Sequence, residues 1–487
     1  LRAIIDTHIA IDRTEIPEGL RLAVCSALSV KNPDRDRAIS EKIPGAKDLP
    51  EKLELWAETA THLVLPRGYA HALDRLANAQ GVQINWDRRM TLYAPSERQF
   101  AEWPTVDLRG YQAEARDQML DWTNGIMKAP TGAGKTRVAL EVARWAGQPT
   151  LIIVDKTALA KQWATVIEES YGARAGLIGD GTWDEQPITI ALRQSLWSRR
   201  ETTPDSFYRH WGMVVVDEVH HASAETLMDL LQRFSAFYRL GYSATPVWDK
   251  MLFPFIEAVI GPVVHSTDAA SIGEVLIKPM IRVMPTEFEF EFVRTQMRAR
   301  YRVQNNYTEL ITALCDDADR NLLIANTAMD EAVKRHHVLV TTRRIEHVKK
   351  LEEELRSICG VSNPWKSEED QVNVLVLTGK ESKHSERVRE AIANATGGTI
   401  LISTVADEAL DIPRLDRLIM AFPARRVPLV EQQIGRIMRP APGKTDAIVY
   451  DIFDEKIGVI KSQYRERMQQ LYLKRRWKVE RLERVPT

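Results

Sequence analysis

The chain has 487 residues, with 66 Lys and Arg against 67 Asp and Glu, a formal net charge of −1, and 44% hydrophobic and 27% charged residues. That is the composition of a soluble globular protein with room for roughly two or three domains, each with its own core. Overall charge gives no support to a nucleic-acid role, which must rest on local asymmetry, and no stretch approaches the ~18 uninterrupted apolar residues of a membrane span. With no basic-then-apolar leader and with Cys25, Cys315 and Cys359 far apart in sequence, buried thiols in a reducing cytoplasm are expected rather than a disulfide framework.

Taken in chain order, Ile5, Thr7, Ile9 and Ile11 alternate as in a half-buried strand. His62–Leu65 reads as a strand broken by Pro66-Arg67-Gly68, a helix comes next with Tyr69, Leu73 and Leu76 on one face, and Val82–Trp86 reads as a further strand. Residues 1–97 therefore form a small α+β module, either an accessory DNA-binding domain or a stabilising cap, joined near Ala94–Trp103 to the larger remainder of the chain. From Leu108 apolar strands alternate with helical patterns, the signature of βαβ units and parallel sheets. Leu151–Val154, Ile188–Ile190 and Met213–Val216 belong to a first sheet over residues 98–262. Val338–Val340, Val374–Leu377, Thr399–Ile402, Leu418–Phe422 and Ile448–Tyr450 belong to a second over residues 263–455. Gly179–Gln186 and Trp365–Asp370 read as surface loops. Residues 456–487 read as a basic helix in which nine Lys or Arg and three Glu fall between Lys461 and Arg484, with Tyr464, Tyr472 and Trp477 among them. Phosphate contact and packing of the Leu471/Trp477 side on the core are both compatible with that pattern.

The most informative stretch is Ala129-Pro130-Thr131-Gly132-Ala133-Gly134-Lys135-Thr136, set between the apolar Gly125–Met127 and the helical run Arg137–Trp145. Gly132 and Gly134 let backbone N–H groups turn inward around phosphates, Lys135 can neutralise phosphate oxygens, and the Thr136 hydroxyl can hold Mg²⁺. The run Met213–Val216 ends in Asp217-Glu218-Val219-His220. A buried parallel strand delivers its last residues to the sheet's C-terminal edge, where Asp217 would hold Mg²⁺ and Glu218 would polarise an attacking water. His220 and His221 lack further His or Cys at ligand spacing and are not expected to bind a metal. His220 is instead expected to relay nucleotide state to Gly241-Tyr-Ser243-Ala244-Thr245. The second half contains no phosphate loop, so one nucleotide site serves two α/β domains.

In order and spacing, these motifs and those downstream resemble the superfamily 2 helicases. Leu108-Arg109-Gly-Tyr-Gln112 resembles the adenine-reading motif, Ala129–Thr136 motif I, Asp217–His220 motif II in its DExH form and Ser243–Thr245 motif III. Ser403–Pro413 resembles motif V, and Gln432–Arg439 resembles motif VI. Asp217–His221, Gly176–Gly181 and Arg436–Lys444 look most like the XPB group and the phage UvsW type. The resemblance implies two tandem RecA-like parallel-sheet domains behind a small N-terminal α+β domain, and an ATP hydrolase that unwinds or branch-migrates DNA in repair and recombination, 3′ to 5′, in a prokaryotic or phage-infected cytoplasm. It implies ATP and Mg²⁺ as cofactors and single-stranded or branched DNA as partner, with RNA open and oligomeric state undefined.

Residue by residue, the resemblance assigns Arg109, Gln112, Pro130, Thr131, Gly132, Ala133, Gly134, Lys135, Thr136, Asp411 and Gln432 to the nucleotide. It assigns Thr136 and Asp217 to Mg²⁺, and Lys135, Asp217, Glu218, Arg436 and Arg439 to catalysis. The two arginines, at i and i+3 of one helix, would stabilise transition-state charge on a phosphate held by the other domain. Lys156, Thr157, Gln162, Gln194, Arg343, Arg344 and Thr404 would contact a nucleic-acid backbone, and Arg67, Arg75, Arg88 and Arg89 are possible phosphate contacts in the N-terminal module. Two departures from the family pattern are Ala409, where Gly is common, and Leu192, where Thr is usual. An RNA helicase, a translocase subunit of a restriction or defence complex, and a nucleotide-gated binding scaffold remain alternatives. The scaffold has no need of a water-activating Glu218 or of Arg436 and Arg439.

Overall fold

The computed structural model describes residues 1–487 except 33–34, 37, 40–44, 46, 95–96, 131, 220–223, 244–252, 268–275, 292–293, 298–299, 304–306, 362–371, 379–381, 405–411, 425–426 and 484–487. Thr131, His220, His221, Ala244, Thr245, Ala409, Asp411 and the Trp365–Asp370 loop thus lie outside the described residues. The chain divides into two compact units, Leu1–Asp268 and Ala269–Thr487. Both are α/β and built on parallel sheets. Among the described residues no helix is long and apolar enough to cross a membrane.

In the first unit an eight-stranded sheet runs in the order Thr182–Asp184, Gly176–Gly179, Ile188–Leu192, Thr150–Val154, Met213–Asp217, Tyr238–Ser243, Asn124–Lys128 and Val263–Ser266. Every pairing is parallel except the first. Thr150–Val154 and Ile188–Leu192 are buried at all positions, as strands covered by helices on both faces must be. The sheet is wider than the sequence indicates. Gly179–Gln186, read as a loop, contains half of a tight hairpin, because Asp180 (φ 50°) and Gly181 (φ 82°) supply the two left-handed residues that such a turn needs. Leu192, the departure from the family's Thr, is 8% exposed and serves the interior.

The N-terminal module is a five-stranded sheet ordered Ala57–Glu58, His62–Pro66, His8–Asp12, Arg2–Ile5 and Asn85–Arg88. The single strand expected over Ile5–Ile11 is two strands of a hairpin, with Asp6 and Thr7 at the turn and Ile5 paired to Ile9. The period-2 pattern survives because the turn preserves the inward phase. The helix forms at Ala70–Ala79 with Leu73 and Ala77 inside. The module shares its core with the larger sheet: Ile9, Ile11, Leu63 and Leu73 cluster with Phe255 and Ala258. Gly68 lies so close to that neighbour that an added Cβ would stand 2.6 Å from Glu257 O and Gly261 N.

Arg67 is not a phosphate contact. It is 0% exposed and donates to the carbonyls of Ala236 and Phe237. Arg239, also 0% exposed, donates to Val259 O at 3.1 Å and Phe234 O at 2.7 Å. Burial, with a second guanidinium nearby, pulls Arg67 well below its ordinary value, and burial lowers Arg239 to about 10. Arg75, Arg88 and Arg89 remain exposed, and Arg89 pairs with Asp87 at 2.8 Å.

The second unit carries a seven-stranded parallel sheet ordered Asn373–Leu377, Thr399–Ser403, His337–Thr341, Arg417–Met420, Ile448–Phe453, Met280–Pro285 and Lys478–Arg481. All five strands expected here form, and the last two in that order were not expected. The basic helix expected over 456–487 covers only Gly458–Arg467. A π turn, Met468–Tyr472, comes after it, and the chain returns as an edge strand. Its aromatic residues face inward: Tyr464 stacks on Phe453 at 4.2 Å and Tyr472 is 0% exposed. Arg467 pairs with Asp451 at 2.8 Å, each side chain 2% exposed. Core packing, rather than phosphate contact, accounts for this part of the pattern.

The buried charges and histidines lend themselves to measurement. Arg67→Ala would leave two carbonyls without their charged donor and open a space beside Arg239, so it should destabilise the first unit by about 2–4 kcal/mol in urea melts; a change under roughly 0.5 kcal/mol would contradict this role. In the second unit His347 bridges Thr342 Oγ1 at 2.8 Å and Asn321 Oδ1 at 3.0 Å, and burial lowers it to about 3; His337 is lowered by burial to about 4. Both are neutral in the fold and take up a proton on unfolding below about 6.5. Stability is therefore full above 6.5 and declines as pH falls toward the folded values, by about 1.4 kcal/mol per pH unit for each histidine. His347→Gln should be less stable at pH 8 but lose stability less steeply between pH 6.5 and 5. Equal slopes in denaturant midpoints would refute the assignment.

Candidate active site

The strand Asn124–Lys128 runs into the phosphate loop, which is fastened at its start by Ala129 N donating to Ser243 O at 3.0 Å. Gly132 (φ 86°) and Gly134 (φ 78°) take left-handed conformations that L side chains resist. A Cβ on Gly134 would also stand 2.3 Å from Gln112 Nε2. Gly134 is the N-cap of helix Lys135–Ala146, and no side chain caps its first turn, so the N–H groups there are presented to an anion. Pro130, Gly132, Lys135 and Thr136 are half-buried and Ala133 is buried.

Lys135 Nζ donates to Ala129 O at 3.3 Å and lies 3.6 Å from Glu218 Oε1, the two side chains 12% and 14% exposed. Glu218 itself sits at φ 46°, an uncommon conformation for a residue with a side chain and typical of functional sites. Its backbone N–H donates to Asp217 Oδ1 at 2.9 Å, and the Trp163 indole donates to Asp217 Oδ2 at 2.8 Å. Burial first, and the Glu218 charge second, raise Asp217 to about 6, while Lys135 and the Trp163 hydrogen bond act the other way. The sequence therefore brings Lys135, Thr136, Asp217 and Glu218 to one sheet edge, with a cation and two carboxylates within a few ångströms. Such a donor set fits a nucleotide phosphate with a hard divalent cation.

Gln112 has an additional duty. It is 3% exposed, its Oε1 accepts from Arg109 N at 3.0 Å and its Nε2 donates to Ala133 O at 2.9 Å. Tyr111 OH donates to the same carbonyl at 3.0 Å. The amide is thus a brace between the opening helix Gly110–Trp122 and the phosphate loop.

Of the expected nucleic-acid residues of the first unit, Lys156, Thr157 and Gln194 come just after C-terminal strand ends, and Gln162 lies further along a helix. Lys156 caps the helix Thr157–Tyr171, which carries Thr157 and Gln162, and exposed Gln194 lies on Arg193–Arg199. Arg193 pairs with Asp155 beside them. In the second unit Arg343 is exposed and lies 5.8 Å from the Phe422 ring, while Arg344 donates to Thr312 Oγ1 at 2.8 Å and is partly committed there. Thr404 is half-buried with its N–H on Leu377 O at 3.2 Å. Gln432 and Arg436 lie on helix Val427–Ile437, with Arg436 only 6% exposed. Arg439 lies beyond the helix end, so the one-face i, i+3 argument does not describe it. Lys444 holds that exit by donating to Arg439 O at 2.7 Å and Leu415 O at 2.6 Å.

Trp163 is the site residue missed in the sequence. Ala160, Trp163 and Ile167 read as a plain apolar helix face, and nothing in that spacing says where the indole N–H points.

Two family models match: the type III restriction enzyme res subunit over residues 105–247 and the helicase conserved C-terminal domain over residues 320–441. A DNA 3′-5′ translocase XPB2 from Sulfurisphaera tokodaii is 27% identical over 352 residues, covering 69% of this chain and 79% of the relative. The ATP-dependent DNA helicase uvsW of Enterobacteria phage T4 is 22% identical over 391 residues, covering 76% and 71%. In fold, a solved structure of S. cerevisiae Dbp5 bound to RNA and ADP BeF3 aligns with a TM-score of 0.52 at 12% identity, covering 76% of this chain and 89% of that one.

If Glu218 activates water, Glu218→Gln should leave nucleotide binding within a few-fold and slow hydrolysis by about 10²–10⁴. Single-turnover hydrolysis beside equilibrium binding of a nucleotide analogue measures both. Near-normal turnover would remove Glu218 from the chemistry.

Proposed function

This chain belongs to the superfamily 2 helicases, of the type represented by XPB and UvsW, and from that premise we propose that it spends ATP to translocate 3′ to 5′ along DNA and to remodel branched duplexes. The observation that carries the reading is the convergence of Lys135, Asp217 and Glu218 at the edge of a sheet whose neighbouring strand ends bear Lys156, Thr157 and Gln194. A clamp that only held nucleic acid would have no use for a carboxylate lodged beside the phosphate lysine.

In this reading Lys135 and the first N–H groups of helix Lys135–Ala146 bind the phosphates. Thr136 and Asp217 hold Mg²⁺, which supplies charge neutralisation to the phosphoryl group. Glu218 orients the attacking water and accepts its proton. By their resemblance to motif VI, Arg436 and Arg439 would stabilise the charge that develops. The named relatives act on DNA, and that choice of nucleic acid is carried over from them.

ATP turnover should be stimulated more by single-stranded and forked DNA than by RNA, and strand displacement should accompany it in the same tubes. Stimulation by RNA alone would sink the DNA assignment, and turnover without displacement or translocation would favour the gated scaffold. Arg436→Lys keeps the charge and loses the planar fork, so kcat should fall by about 10–10³ while nucleotide affinity changes little. An affinity loss matching the rate loss would place Arg436 in ground-state binding instead.

A further inference from the structure

The helix Thr157–Tyr171 buries Ala160, Trp163, Ile167 and Tyr171 along one face. Trp163, 2% exposed, puts its indole N–H 2.8 Å from Asp217 Oδ2. An indole has one donor and no acceptor, so its whole hydrogen-bonding capacity is spent on this carboxylate. Filling the core does not demand that. Trp211 is 0% exposed and its Nε1 has no hydrogen-bond partner among the described residues.

The helix is fixed at its far end. Tyr171 OH donates to Glu141 Oε1 at 2.8 Å, on the helix after the phosphate loop, and Trp103 stacks on Tyr171 with ring centroids 4.3 Å apart. At its near end Lys156 is the N-cap and Thr157 the first residue, just past the strand Thr150–Val154. Trp163 lies between the two, about 9 Å along the axis from Thr157 at the usual helical rise. A hydrogen-bonded helix moves as a rod. A push at Lys156 and Thr157 against an anchor at Tyr171 is therefore delivered at Trp163.

We propose that Trp163 is a positioning residue that transmits nucleic-acid contact at the Lys156–Thr157 end of this helix to the Asp217 carboxylate, so that a gripped strand sets the group that holds Mg²⁺. This rests on the function proposed above and adds the route of coupling. A donor behind a metal-binding carboxylate is commonly worth about 10–100-fold in metal affinity, which gives the lever a measurable effect.

The test replaces Trp163 in the full chain with benzothienylalanine, which keeps the two-ring shape and has sulfur in place of N–H, and separately with Phe. Mn²⁺ binding to the chain with ADP is monitored by electron paramagnetic resonance, with and without single-stranded DNA, beside ATP turnover against Mg²⁺. In the wild type, DNA should tighten Mn²⁺ binding. In both variants Mn²⁺ affinity should fall by about tenfold and cease to respond to DNA, with circular dichroism and ADP affinity unchanged. If Trp163→Phe does not fold, the isosteric variant decides. Wild-type Mn²⁺ affinity and DNA response in the benzothienyl variant would overturn the lever alone. A wild-type chain that neither turns over ATP nor responds to nucleic acid would overturn the proposed function, whatever Trp163 does.

Discussion

The first unit is organised around keeping two adjacent carboxylates, Asp217 and Glu218, charged at the edge of a desolvated sheet. The strand that delivers them is buried from Met213 to Val216, and burial works against ionisation of Asp217, as does the neighbouring Glu218. Three nearby features make the arrangement tolerable: the Lys135 ammonium 3.6 Å from Glu218, the Trp163 indole on Asp217, and the backbone N–H of Glu218 turned onto Asp217. Each is held in turn by a different element. The lysine belongs to the phosphate loop braced by Gln112, the indole to the helix anchored at Tyr171, and the N–H to a residue at positive φ. Functional groups held at such a cost are where natural proteins trade stability for activity.

The same principle, a buried charge satisfied by oriented dipoles, ties the N-terminal module to the larger sheet. Arg67 reaches the carbonyls of Ala236 and Phe237 just before the strand Tyr238–Ser243, which lies directly beside the Asp217 strand. Arg239, within that strand, reaches back to Phe234 and Val259. With a shared apolar cluster and the close approach at Gly68, the module forms one packed body with the nucleotide-binding sheet. Removing residues 1–97 would therefore bare Phe255 and Ala258 and leave carbonyls without donors. Arg67 is committed to the interior, whereas Arg75, Arg88 and Arg89 stay exposed on this module.

Much of this was legible in the sequence because strong local signals and global packing agree. The fully apolar strands, the glycines of the phosphate loop and the acidic residues at a strand end each obey one physical rule. The features that were not legible depend on partners distant in sequence. A lone Arg67 after Pro66 looks exposed until residues 236–237 are brought to it. Met280–Pro285 becomes a strand by pairing with Ile448–Phe453, and Lys478–Arg481 by pairing with Met280–Pro285 in turn. The basic, aromatic C-terminal segment left phosphate contact and core packing both open because Asp451, which neutralises Arg467, lies in another element. Gln112 shows the same limit, since its motif points to a nucleotide base while its amide braces Ala133 O.

A motor that steps along a strand and a clamp that merely hydrolyses when bound differ in one quantity. Steady-state ATP turnover at saturating single-stranded DNA should rise with the length of the DNA and then level off, because a translocating chain spends a larger fraction of each encounter stepping on a longer track. That rise is the result expected for a site in which strand grip and hydrolysis share one sheet edge. Turnover per bound chain that is independent of DNA length, from the shortest strand that binds to one many times longer, would contradict the account.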